Sequence, residues 1–320
     1  TAIGAPAVDI FYGGDKSKWI TLANTLKFRL ALNEGNAAGV AAALSAGVID
    51  EQAEDWVFTY GSNRQNPDSR HPWYGGAYES FSGPYESNYF MWELLEEKPF
   101  ADPRLRYYFK RQDLNLKGED LFTIDCASPD QLPAWYDFSY TNAYGQETSW
   151  PYCGGSNRTT VDASYAKGYW GRDHGNNDGI PPDGQKRTAP GIYPAGGEYD
   201  TGNQSNGLGE GDTWKKGTTG AGGDGIDPIL TSSFVHFMRA EAALTLGTGE
   251  DAKVHLDSAI AHSMAYVKAT SERIGGDIDA PSATTLAGDL TNFQRSVDNY
   301  SKSVMNAYDV SADKLNIVVK

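Results

Sequence analysis

"DKSKWITLANTLKFRLALNEGNAAGVAAALSAG", residues 15–47, reads as two helices folded back on each other. Asp15 is suited to cap a helix, and Trp19, Leu22, Leu26 and Leu30 then recur every three or four positions, the repeat of one helical face. Gly35 stops that helix. A second, alanine-rich helix from Asn36 to about Ala46 packs back on it, with Ala23 and Ala31 small enough to sit at the crossing.

A second helical block follows much later. Asp227-Pro228 has the form of an N-cap and an N1 proline, and Leu230, Phe234, Phe237, Met238 and Leu244 carry the apolar repeat to Gly247. The partner helix carries Leu256, Ile260, Met264 and Val267, and Ala240, Ala242 and Ala243 are the small residues at this crossing. A further helix, about Thr285 to Tyr308, presents Leu290, Phe293, Val297, Tyr300, Val304 and Tyr308. The chain then ends in "LNIVVK", read as an apolar run without a cap.

Helical hairpins of this size are the unit of tetratricopeptide-type solenoids, in which a hairpin buries its apolar face only when a neighbour stacks on it. Two hairpins are too few to stand alone, so the sequence is expected to be a piece of something longer. Between them, residues 50–225 hold only short strand-like runs such as "DWVFTY" and "DLFTID". Gly154–Gly225 contains 19 of the 36 glycines, a density that points to loops. The many aromatics of the same region bury more than a disordered tract can, so it reads as an ordered, loop-built insertion resting on helices.

With 42 acidic and 27 basic side chains the net charge is −15, which repels phosphate backbones and anionic lipid and excludes nucleic acid as a partner. The longest apolar run, Gly39–Ile49, is far too short to cross a bilayer. Cys126 and Cys153 are either a disulfide, contributing about 3–4 kcal/mol and implying an oxidising compartment, or two unpaired thiols.

Several motifs fail on context. "GAGGDG", residues 220–225, has the glycine spacing of a dinucleotide loop, yet "GDTWKKGTT" before it is no hydrophobic strand. "NQSNG", residues 203–207, has Asn203 where a nucleophile elbow needs glycine. The five histidines never fall at metalloprotease spacing, and His255 and His262 read as surface or half-buried groups. "YWGRDHGNNDGIPPDG", residues 169–184, lacks the ligand spacing of a helix-loop-helix calcium site. Asp173, Asn177, Asp178 and Asp183 remain a candidate looser calcium cage, against the plainer reading of a structural turn.

Sugar binding without chemistry has the better footing, because aromatic faces stack on pyranose rings while Asn, Asp and Arg bond the hydroxyls. "SNRQNPDSRHPWYGGAYESF", residues 62–81, interleaves both kinds. The candidate ligand residues are Trp73, Tyr74, Tyr78, Tyr85, Trp135, Tyr136 and Trp170, and the alternative is that they staple loops to the scaffold. No acid pair stands out for glycoside hydrolysis.

Four separated stretches carry a family resemblance. "DIFYGGDKSKWITLANTLKFRLAL" (9–32), "FADPRLRYYF" (100–109), "GRDHGNNDGIPPDG" with "RTAPGIYPAGGEYD" to Asp200, and "RAEAALTLGTGEDAKVHLDSAIAHSMAYV" (239–267) resemble the SusD/RagB superfamily, in its SusD-like branch. The resemblance implies a mainly α fold of tetratricopeptide-like hairpins carrying a large loop-rich insertion with a few short strands. It is expected to form one partial SusD-like domain over 1–320, made of hairpin 9–47, insertion 50–225 and later repeat helices 227–320. It also implies non-catalytic capture of an oligosaccharide for import through a SusC-like TonB-dependent transporter of the outer membrane. A peptide cargo, a glycoside hydrolase and a pure interaction scaffold are the alternatives. A lipidated signal and first repeats are expected before Thr1 and a closing segment after Lys320, so membrane contact is expected only through a lipid anchor outside these residues. No cofactor is expected beyond a structural calcium, which some relatives carry.

Overall fold

The computed structural model describes residues 8–80, 85–95, 97, 101–112, 139–141, 147–149, 169, 171, 187–201, 219–275 and 280–320. They fall into two compact units. One comprises 1–59, 227–266 and 305–320, and the other 60–226 and 267–304.

The first unit begins with the expected hairpin. Ahead of it, the Asp9 carboxylate takes the Trp19 indole N–H at 2.8 Å and the backbone N–H groups of Gly14, Phe11 and Tyr12. These donors, Trp19 foremost, hold its pKa down at about 2. Helix α1, Lys16–Asn33, starts at Asp15, whose side chain accepts from Ser17 N at 2.9 Å. It ends at Gly35, whose φ of +66° is the left-handed conformation that costs glycine little. There Gly35 N donates to Leu32 O (3.0 Å) and Asn36 N to Ala31 O (2.8 Å), satisfying the last carbonyls of the helix. Asn36 then caps α2, Ala37–Ala46, by accepting from Gly39 N at 2.9 Å. One asparagine therefore closes one helix and opens the next.

The buried face of α1 differs from the expected one. Leu22, Asn24, Thr25, Phe28, Ala31 and Leu32 are buried, whereas Ile20 and Leu30 are 62% and 63% exposed and Trp19 and Leu26 each 38%. The crossing uses Ala31 against Gly39, where an added Cβ would come within 2.9 Å of the alanine methyl, while Ala23 is exposed. Helix α1 is thus apolar on two opposite faces, and only one of them is covered.

Strand β1, Trp56–Thr59, pairs with β6, Ile226–Leu230, in a two-stranded sheet. Asp227-Pro228 is therefore strand and not a helix start. A two-stranded sheet has only edges, where proline's missing N–H is tolerated. Helix α6, Ser232–Leu246, begins four residues later under Thr231 and ends at Gly247 with φ +65°. Buried Asp55 takes Ser232 N at 2.5 Å, and burial raises its carboxyl pKa to about 6. Helix α7, Ala252–Gly275, completes the second hairpin, with Leu256, Ile260, Met264 and Val267 buried as expected. Leu22, Phe28, Leu32, Val40, Ile49, Leu230 and Val235 form the core of this unit.

Helix α8, Ala280–Val310, runs longer than expected, with Phe293, Val297, Tyr300, Val304 and Tyr308 buried. "LNIVVK" is not an uncapped tail. Asp313 accepts from Asn316 N at 3.0 Å to open α9, Lys314–Val319, which buries Ile317 and Val318 and packs against α6.

The second unit is built from short pieces: α3 (Pro72–Gly75), a π-turn over Gly76–Ser80, α4 (Asn88–Leu95), α5 (Leu105–Tyr108) and β2 (Phe109–Lys110). Strands β3 (Ser139–Thr141) and β4 (Glu147–Ser149) pair antiparallel, as do β2 and β5 (Ala189–Pro190) with Phe109 opposite Pro190. Asp102 of the "DPRL" stretch accepts from Arg104 N at 2.9 Å and takes the Arg104 guanidinium on both oxygens, which locks the turn into α5. At Gly191 a side chain has no room, because a Cβ would lie 2.2 Å from Tyr107 O. Met91, Leu94, Leu95, Leu105, Phe109 and Tyr169 form one core cluster, and Tyr74, Ala77, Tyr78 and Ala189 another. The "DLFTID" run lies outside the described residues.

Candidate ligand-binding surface

Residues 61–71 form a closed loop in the second unit. Gly61 N donates to Ser69 O and Ser69 N to Asn63 O, each at 2.9 Å, while Asn63 N donates to Ser69 Oγ and Asn63 Nδ2 to Pro67 O. These bonds leave Arg64, Gln65 and Asn66 exposed at the tip. Arg70 anchors the loop from inside, since its buried guanidinium meets Asp68 Oδ2 at 2.7 Å and Glu79 Oε2 at 2.6 Å. Arg64 reaches Glu79 as well. The Arg70 hydrogen bond holds the Asp68 pKa at about 2, and Arg64, then Arg70, lower that of Glu79.

His71 turns the loop into α3. Its Nδ1 accepts from Trp73 N at 3.1 Å, which requires an unprotonated Nδ1. Its ring meets Tyr60 edge-on at 4.7 Å and Trp73 at 5.4 Å. Trp73 itself is 46% exposed, so a braced indole stands open beside a loop rich in side-chain amides.

The neighbouring tyrosines are different. Tyr74 and Tyr78 stack at 4.7 Å and 9° and are buried. Tyr74 OH donates to Thr219 O at 2.8 Å, while Tyr78 OH donates to Pro190 O at 2.7 Å and accepts from Glu198 N at 2.9 Å. Burial pushes the Tyr74 pKa to about 12 and that of Tyr78 well above its ordinary value. A ring without an open face cannot stack on a sugar, so these two expected ligand residues are placed as core residues instead. Tyr85 is half-buried under the Arg187 guanidinium, 4.7 Å from its ring centre. Adjacent Glu86 is raised to about 7 by loss of water, with Arg187 pulling the other way. Trp135, Tyr136, Trp170, the cage residues Asp173, Asn177, Asp178 and Asp183, and Cys126 and Cys153 lie outside the described residues.

A buried polar centre escaped the sequence reading. Asp200 receives Arg111 Nε at 2.6 Å and Tyr169 OH at 3.1 Å on Oδ2, while its carbonyl takes Arg106 Nε at 2.6 Å. The Arg111 guanidinium also lies 4.7 Å over the Tyr169 ring. The four residues are dispersed over almost a hundred positions, so no local motif could reveal them. "GAGGDG" is a turn in which Gly223 takes His71 N on its carbonyl and donates to Gly196 O.

Among the described residues, no group of three or more His, Cys, Asp or Glu side chains could hold a metal, and no helix is long and apolar enough to cross a membrane.

Helical hairpins together with a loop-built unit define a tetratricopeptide-like fold. Residues 1–125 match the SusD-like_2 family, described as starch-binding and associating with the outer membrane. The fold is that of SusD homologues. One from Bacteroides fragilis superposes with a TM-score of 0.54 at 12% identity, over 99% of this chain and 53% of its own. Another from the same species gives 0.53 at 11% identity, over 97% and 52%. An outer-membrane protein from Bacteroides vulgatus, described as involved in nutrient binding, gives 0.53 at 15% identity, again over 97% and 52%. The family match thus covers residues 1–125, and the likeness to SusD homologues over the rest of the chain is one of fold. The chain spans about half the length of these solved relatives. Among curated proteins the chain has no match.

Proposed function

We propose that this chain belongs to a non-catalytic capture protein that holds an oligosaccharide on the surface around Trp73. In the full-length protein the cargo would pass to a SusC-like TonB-dependent transporter, with the protein held by a lipid anchor on the outer face of the outer membrane. The observation that carries the reading is the open Trp73 indole, braced edge-on by His71 beside the amide-bearing loop 61–69. Such a ring offers an apolar face to a pyranose while the exposed Gln65 and Asn66 amides offer both donors and acceptors to hydroxyls. The loop's charges are engaged with one another, Arg64 with Glu79 and Arg70 with Asp68 and Glu79, which suits a neutral ligand.

Isothermal titration of the full-length protein against oligosaccharides and short peptides tests this. Trp73→Ala should weaken binding of the responding glycan by about 2 kcal/mol, roughly thirtyfold, as expected for a central aromatic anchor. Tyr74→Phe should leave affinity unchanged, because that hydroxyl faces Thr219 inside the protein. Unchanged affinity in Trp73→Ala would move the site away from this loop. Saturable binding of peptides alone would replace the cargo, and reducing-sugar release would replace capture with hydrolysis.

A further inference from the structure

Three of the chain's five histidines meet in the first unit, far in sequence from the Trp73 loop and unused by it. His236 on α6 and His255 on α7 place their Nδ1 atoms 3.0 Å apart, with the rings nearly parallel at 27°. His236 Nε2 lies 3.2 Å from Asp50 O, on the segment after α2. His262 stands edge-on to His236 at 4.8 Å, with its own Nδ1 2.9 Å from Ser232 Oγ. Both members of the pair are buried.

We propose that the His236–His255 pair is an acid-sensitive latch that joins α6 to α7 and is released when both rings are protonated. Two Nδ1 atoms at hydrogen-bond distance need one hydrogen between them. The neutral pair supplies it, and so does a pair with one imidazolium, which donates to its neutral neighbour. A doubly protonated pair has two donors, no acceptor and two cations in contact.

The surrounding charges set the same limit. Asp50 Oδ1 is 3.6 Å from His236 Nε2, and Glu250 Oε2 is 3.5 Å from His255 Nε2. Arg239 bonds both carboxylates, so Arg239, Asp50 and Glu250 together leave one net negative charge. One imidazolium balances it and a second does not. Burial is the main influence lowering the pKa of both rings below the ordinary 6.5, with Asp50 opposing it for His236 and Arg239 reinforcing it for His255. His262 adds to the lowering at His236 when charged.

The sign follows. A histidine with a depressed folded pKa binds fewer protons folded than unfolded, so its contribution is present above about 6.5 and is lost as pH falls from there through the lowered value. Each extra proton taken up on unfolding raises the unfolding constant about tenfold per pH unit. Asp55 works the other way, since its raised carboxyl gains a proton in the folded state near pH 6. Comparing variants at each pH cancels it.

The test is a set of urea unfolding curves between pH 8 and 4.5 for the wild type, His236→Asn and His255→Gln, with imidazole resonances followed by NMR. The amides can replace one hydrogen bond but do not titrate. Wild type should lose stability more steeply below about pH 6.5 than either variant, and amides of α6 and α7 should lose exchange protection together as the second ring titrates. Equal pH slopes in the wild type and in whichever variants fold would overturn the latch. So would two imidazolium signals at pH 5 with α6 and α7 still protected.

Discussion

Asp200→Ala should destabilise the protein by about 3–5 kcal/mol, the cost of removing one partner from a buried ion pair. Asp200 is wholly buried, and Arg111, Tyr169 and Arg106 converge on it. Alanine removes the carboxylate that takes Arg111 Nε and Tyr169 OH in a site from which water is excluded. Asp200→Asn keeps an acceptor for Tyr169 OH and should lose less. Guanidinium unfolding measures both. A shift in midpoint with the slope unchanged is the expected result, and a loss under 1 kcal/mol in the alanine variant would show that the centre is not holding the second unit together.

Phe28→Ala should cost a similar amount, about 3–5 kcal/mol, through a cavity and not through charge. Phe28 has no exposed surface and belongs to the core that also holds Val40, Ile49 and Val235. Phe28→Leu, which leaves most of the volume filled, should be markedly milder. The two losses sit in different units, so Asp200→Ala and Phe28→Ala should be nearly additive if unfolding is a single cooperative step.

The first hairpin was legible because its signals are local. Asp15, Gly35 and Asn36 act within five residues of their own positions, and a capping residue needs no knowledge of the rest of the chain. The face of α1 was not legible, because an apolar residue every three or four positions fits both sides of this helix. Pro228 was misread for a related reason: Asp-Pro has the form of a helix start, and only the distant pairing of β6 with β1 makes it strand. The histidine pair spans a hairpin, 19 positions apart, and no spacing rule joins such residues. At the candidate surface, residue type found Trp73 but could not separate it from adjacent Tyr74. The distinction lies in which ring the fold leaves open.

The uncovered face of α1 bears on how the protein behaves in a tube. Trp19, Leu26 and Leu30 form a greasy seam, edged by exposed Lys16, Lys27 and Arg29, on a molecule whose net charge is −15. Two such seams cannot meet at low ionic strength, because the lysines and arginines collide and the molecules as wholes repel. At about 1 M salt the screening length falls to roughly 3 Å and both barriers vanish, while apolar attraction remains. Sedimentation should therefore show clustering that grows with salt, and Leu30→Glu should suppress it. Dilute buffer, not saline, is then the medium in which this chain stays dispersed.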